Sequence, residues 1–90
     1  MYAVLVAVAI DPDHKDEAEK QLQDQVVPGV KQLPGAVSGV WLAPKDGQGY
    51  STIVFESEDQ AKAAAETVGA RAPQYVTIQH VEVREVSANF

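Results

Sequence analysis

The chain has 90 residues, enough for one small domain, and its 46% hydrophobic and 22% charged content is that of a folded globular chain rather than a disordered one. Seven basic against thirteen acidic residues leave a net charge of −6, which argues against a nucleic-acid partner, because neutralising phosphates needs clustered Lys and Arg. There is no cysteine, so disulfide staples, iron–sulfur clusters, thiolate zinc sites and a cysteine nucleophile are excluded, and a reducing cytoplasm is the default compartment.

The run Tyr2 to Ile10 is continuously apolar and rich in Val. It is too short to span a bilayer and lacks the charge pattern and cleavage site of a signal peptide, so no membrane partner is expected. A half-buried strand would alternate with polar residues; this one reads as a first strand covered on both faces. Tyr2, Val4, Val6, Val8 and Ile10 share one face. Ala3, Leu5, Ala7 and Ala9 share the other, whose small side chains are expected to let a helix pack close.

Asp11-Pro12-Asp13 opens a helix, with Asp11 as cap and Pro12 at the first position, where its missing N–H costs nothing. Ala18, Leu22, Val26, Val30 and Leu33 trace a single apolar stripe along it. Pro28 interrupts the pattern, predicting a kink or a short second helix that starts there. Pro34-Gly35 is a turn signal. A second strand follows over 36–43, and Asp46-Gly47-Gln48-Gly49 marks a hairpin into a third, Tyr50 to Glu56. Ser57 and Gln60 form a capping box for a helix with Ala61, Ala64, Ala65 and Val68 on one face and Gly69 at its end. The last strand, about Val76 to Ser87, changes apolar parity part-way, which either a bulge near Gln79-His80 or a shorter strand beginning near Ile78 would reconcile.

This βαββαβ order predicts one α+β domain over residues 1–90, a ferredoxin-like four-stranded antiparallel sheet with two helices on one face and strands two and four at its edges. The helix-free face is expected to carry Tyr2, Val4, Val6, Val8, Val37, Trp41, Tyr50 and Val54. Apolar patches of that size mark interaction surfaces, and a second copy is the most economical cover, so the expected partner is the chain itself, as a homodimer.

The apolar first strand, the kinked helix at Val26-Val27-Pro28, the segment Leu33-Pro34-Gly35-Ala36-Val37-Ser38-Gly39-Val40-Trp41 and the step Phe55-Glu56-Ser57 resemble the dimeric α/β-barrel superfamily. Within it they look like the antibiotic-biosynthesis-monooxygenase-like group. The resemblance covers nearly the whole chain, but its motifs are those of a fold, not of a reaction. It implies a cavity between each sheet and its helices or towards the barrel interior. Some members oxidise polycyclic phenols with oxygen and no cofactor; others degrade haem, using a histidine on the second helix. Residues 58–69 contain no histidine, and the only asparagine available for an oxygenase constellation is Asn89, in the tail.

Four side chains are candidates for contact with a small aromatic ligand. Trp41 could stack on a flat ring or pack in the barrel core or dimer interface, and Tyr50 and Tyr75 could donate phenolic hydrogen bonds or serve as amphipathic edge residues. Arg84 shares a face with His80 and Glu82 on the last strand, where such a stripe could hold an anion or relay a proton, or could be a solvated edge that discourages strand pairing. His80 is the acid–base candidate, because imidazole titrates near neutrality. Two histidines far apart give no metal-ligand pair, no phosphate loop is present, and no cofactor is called for. One reading is therefore a dimeric protein that binds a small apolar or aromatic molecule and works as a cofactor-independent monooxygenase. The other is a non-catalytic dimerisation module with a filled interior. A ligand-sensing partner protein is a third reading that no residue specifically signals. A pocket of at least about 300 Å³ would favour the first.

Overall fold

A computed structural model describes residues 1–90. Strand β1 spans Tyr2–Ile10, and a 3₁₀ turn at Pro12–His14 starts a composite first arm: α1 (Lys15–Gln21), a π turn (Leu22–Val26) and α2 (Val27–Lys31). Strands β2 (Ala36–Trp41) and β3 (Gln48–Phe55) form a hairpin, followed by α3 (Glu58–Ala70) and β4 (Val76–Glu85). The sheet is antiparallel throughout in the order β2-β3-β1-β4, so β2 and β4 are the edges. This is the ferredoxin-like α+β arrangement read from the sequence.

The local signals act as their chemistry dictates. The Asp11 carboxylate accepts from the Asp13 N–H at 2.9 Å and caps the 3₁₀ turn. Ser57 Oγ accepts from the Gln60 N–H at 3.2 Å and caps α3. Asp46 and Gly47 both take positive φ, 53° and 78°, between the mutually hydrogen-bonded Lys45 and Gln48. Two positive values in a two-residue loop make the mirror-image turn whose twist matches a hairpin. Pro28 does not break the arm. The preceding turn widens, with the Val27 N–H reaching back five residues to the Leu22 carbonyl, and Pro28 enters at the start of α2, where an absent N–H is tolerated.

Three sequence expectations need correction. Gly69 does not terminate α3, which runs on to Ala70 and leaves through Arg71 at φ −128°; no left-handed residue is required there. The two faces of β1 are exchanged. Val4 lies opposite Ile53 and Val83, and Tyr2 opposite Phe55, so the larger β1 side chains face the helices. The small residues that allow close approach are on the helix instead: Ala61 and Ala64 are buried against Val4, Val6, Ile53 and Phe55.

Trp41 is the third. The β2–β3 register slips between Ala36 and Ser38, leaving Val37 as an extra residue and carrying Gly39 and Trp41 onto the helix side, opposite Ile53 and Ser51. Tyr50 pairs with Ala7 on the helix-free face, so Trp41 and Tyr50 do not share a face. β4 carries the bulge rather than a shorter strand. Ala7 pairs with His80 and Val8 with Ile78, so Gln79 is the extra residue, and Ile78, Val81 and Val83 all turn to the helix side.

The domain is unusually open. Its accessible surface is 6112 Å², whereas a closed monomer of 9.7 kDa exposes about 5,100 Å² on the usual size scaling. The opening is on both sides of the sheet, a hollow beneath the helices and a bare face behind.

Candidate functional site

The hollow follows from where the small residues fall. β1 and α3 meet at one end of the domain, where Phe55 leads through Ser57 into α3 and the alanines of that helix seat on Val4, Ile53 and Phe55. Towards the other end, β3 offers only Ser51 and Gly49 to the helix side, opposite Val6 and Val8. The first arm crosses this region and lays its apolar stripe (Ala18, Leu22, Val26, Val30) over the gap without filling it. A cavity of about 740 Å³ results. Its floor is Val6, Val8, Ile10, Ile53 and Ile78, its roof is the stripe and Val68, and Trp41 stands at its side. The size and the apolar lining suit a ligand of one to a few rings.

Trp41 is held by its own strand. A side chain at Gly39 would collide with the outer edge of the indole, so the bare glycine is what lets the ring lie along β2. The titratable side chains at the hollow are Lys15, Glu19, Tyr50 and Arg71, all solvent-exposed and therefore at its mouth. Tyr50 reaches only the rim; by register it belongs to the helix-free face, where it is 54% exposed and its hydroxyl donates to Gln48 Oε1 at 3.3 Å.

His80, Glu82 and Arg84 are brought together, as the alternate spacing required, but on the helix-free face, opposite Ala7, Leu5 and Ala3. Glu82 bridges its neighbours, with Arg84 Nε 3.0 Å from one carboxylate oxygen and His80 Nε2 3.2 Å from the other. These hydrogen bonds, Arg84's first, hold the Glu82 carboxyl below the usual carboxylate range. The sheet separates the trio from the hollow. An acid–base role for His80 therefore requires a site on the helix-free face.

Tyr75 is outside the hollow too. It takes φ 71°, and its ring stacks on the His14 imidazole with centroids 4.0 Å apart and planes within 3°. His14 Nδ1 lies 3.1 Å from Asp11 Oδ2, and the Asp11 N–H donates to the Tyr75 carbonyl at 2.9 Å. The Asp13 N–H and then the His14 imidazole hold the Asp11 carboxyl below its ordinary value. This clasp joins the start of the first arm to the loop between α3 and β4.

No group of three or more His, Asp or Glu side chains is placed to hold a metal. No histidine lines the hollow to ligate a haem-type iron. Glu58–Ala70 carries no histidine, His14 is committed to Asp11 and Tyr75, and His80 is on the far side of the sheet. Sequence reasoning passed over Ser51, Gly49, Lys15 and Arg71. The signal available was Ser51, a lone small polar residue on the helix-side parity of an otherwise apolar strand.

No protein-family model matches the sequence, and no curated protein matches it. Solved structures do match, over their whole length. HapK from Hahella chejuensis is 14% identical with a TM-score of 0.73, covering 100% of this chain and 97% of that one. The haem degrader MhuD from Mycobacterium tuberculosis, with two haems bound in its active site, is 20% identical with a TM-score of 0.74, covering 100% and 99%. A Deinococcus radiodurans protein assigned to the antibiotic biosynthesis monooxygenases is 11% identical with a TM-score of 0.70, covering 100% and 96%. The chain thus has the fold of the antibiotic-biosynthesis-monooxygenase-like, dimeric α/β-barrel group, and the comparison fixes that fold alone. No helix is long and apolar enough to cross a membrane.

Proposed function

We propose that the protein binds a small apolar or aromatic molecule in the hollow between its sheet and its helices, and does so as a homodimer. The observation that carries the reading is the cavity of about 740 Å³, apolar on its floor and roof, with Trp41 at its side. It supports ligand binding beneath the helices, a space separate from the barrel interior that the assembly-module reading has filled. The dimer is supported by the helix-free face, where Val40, Leu42 and Tyr50 are 57%, 58% and 54% exposed side by side. Burying such side chains is worth roughly 1.5–3 kcal/mol each. Two such faces packed together would close a barrel, with each His80–Glu82–Arg84 trio at its wall.

Monooxygenation, named for two of the fold neighbours, is the reaction class to assay first, with a phenol as the trial substrate and no added cofactor. No histidine lines the hollow, and His80 could serve only a ligand held between the two sheets of a dimer. The lack of cysteine suits a cytoplasmic setting.

A thermal-shift screen with naphthols, quinols and anthrones, followed by titration of Trp41 emission, tests the binding. Ligands of one to three rings should raise the melting temperature and change the emission of Trp41, the chain's only tryptophan. If every compound leaves both unchanged, the reading is wrong.

A further inference from the structure

The charges at the cavity mouth run against those of the chain. Overall, thirteen acidic residues outnumber seven basic ones. Around the hollow the charged side chains are Lys15 and Arg71 against Glu19 alone. Neither cation is spent elsewhere: the four ion pairs of the molecule involve Asp11–His14, Glu58–Lys62, His80–Glu82 and Glu82–Arg84.

Topology also brings the two cations to the same end. β1 finishes and the first arm begins where α3 finishes and β4 begins, so Lys15 and Arg71 both lie at that end. The His14–Tyr75 stack ties those two segments together, with His14 next to Lys15 and Tyr75 four residues beyond Arg71. The apolar body of the hollow and Trp41 lie further in. A cavity with a greasy interior and two unpaired cations at one end of its mouth is built for an amphipathic anion.

The geometry points to a ligand class: an aromatic or apolar molecule bearing one carboxylate or sulfonate, its body against Trp41 and Val8 and its anionic group at Arg71 and Lys15. Arg71 supplies a planar fork of donors that matches a carboxylate, and Lys15 a mobile point charge. The overall negative charge is no obstacle at physiological salt, because fields from distant carboxylates are screened beyond about 8 Å. Glu19 sets a limit at the same mouth, disfavouring dianions. This inference rests on the binding reading above and specifies its ligand.

The test uses two probes with one body. 8-Anilinonaphthalene-1-sulfonate carries an anionic group; N-phenyl-1-naphthylamine is the same ring system without it. Both are titrated into the full chain, read by energy transfer from Trp41, with each checked for displacement of the other. The sulfonate should bind more tightly, by roughly two- to fivefold for each cation, as partly exposed ion pairs give. That preference should shrink in Arg71→Gln and in Lys15→Gln, vanish in the double variant, and fall with added salt in the unmodified protein.

Competitive binding of both probes with no preference for the sulfonate, or a preference that survives both substitutions and high salt, overturns the inference and leaves the binding reading standing. If neither probe binds, both fall. The salt series needs no variant, so it decides the matter even if a substitution were to disturb folding.

Discussion

One substitution type placed at two positions separates the closed end of the domain from the hollow one. Ala61 is fully buried beneath Val4 and Phe55, so Ala61→Leu inserts three carbons where there is no room and should cost about 1–3 kcal/mol. For a domain of this size 1 kcal/mol moves the melting temperature by roughly 4–8 °C, so a fall of several to about twenty degrees is expected. Ser51 lies on the same side of the sheet but borders the hollow, and its hydroxyl makes no hydrogen bond within the protein. Ser51→Ile adds apolar volume with a β-branched side chain that suits a strand. It should be neutral or stabilising by up to about 1.5 kcal/mol, since partial burial of such a side chain gains that much. Urea unfolding of both variants, with the slope compared to the parent's, reads the difference. Equal destabilisation would mean that the hollow is packed. An Ala61→Leu variant as stable as the parent would mean that α3 is not seated as described.

The other expectations are narrower. Gly47→Ala should destabilise by about 1 kcal/mol or more, because an alanine is strained at φ 78°, whereas Gly47→Asn should cost less, asparagine tolerating that region; equilibrium unfolding distinguishes them. Asp11 has its carboxyl held below the ordinary value, so its contribution to stability is present above the unfolded-state pKa and is lost as pH falls through the lower folded value. Asp11→Asn, which keeps a capping side chain, should flatten the decline of melting temperature below about pH 4; an unchanged acid slope would count against the hydrogen bonds of the Asp11 carboxylate to the Asp13 N–H and His14. Val40→Lys together with Leu42→Lys should convert a dimer sedimenting at twice 9.7 kDa into a folded monomer. A parent that already sediments as a monomer at micromolar concentration would refute the dimer.

Elements and turns were legible in the sequence because single residues specify them: Ser57 as a cap, Gly47 in a hairpin, Pro34-Gly35 before β2. The parity change in β4 was legible too, but a shorter strand would have explained it as well, and only the pairing of β4 with β1 makes it a bulge. The faces were not. β1 is apolar on both sides, so nothing in its alternation says which side the helices cover; the answer lay in the alanines of α3 and the pairing with Ile53 and Phe55. The slip at Val37 was hidden for a related reason. β2 is an edge strand with mixed exposure, and its neighbours Ser38 and Gly39 carry no apolar signal, so Trp41 was assigned to the wrong side.

The hollow was the least legible feature. It arises from residues that are small, Gly49 and Ser51, and from an arm whose stripe spans a gap it does not fill; a periodic apolar stripe looks the same whether it packs against a core or lines a cavity. His80, Glu82 and Arg84 were grouped correctly by their spacing, yet spacing alone could not say that the sheet divides them from Trp41.

A ligand should enter the hollow beneath the helices and not the space behind the sheet. Methyl-resolved NMR of the protein titrated with 1-naphthoate would report both sides of the sheet at once. The expected result is shifts at Val8, Leu22, Val26 and Ile78, which border the hollow, with Leu5, Val40 and Val54 unmoved on the other face. Shifts confined to Leu5, Val40 and Val54 would place the ligand between sheets and contradict the account.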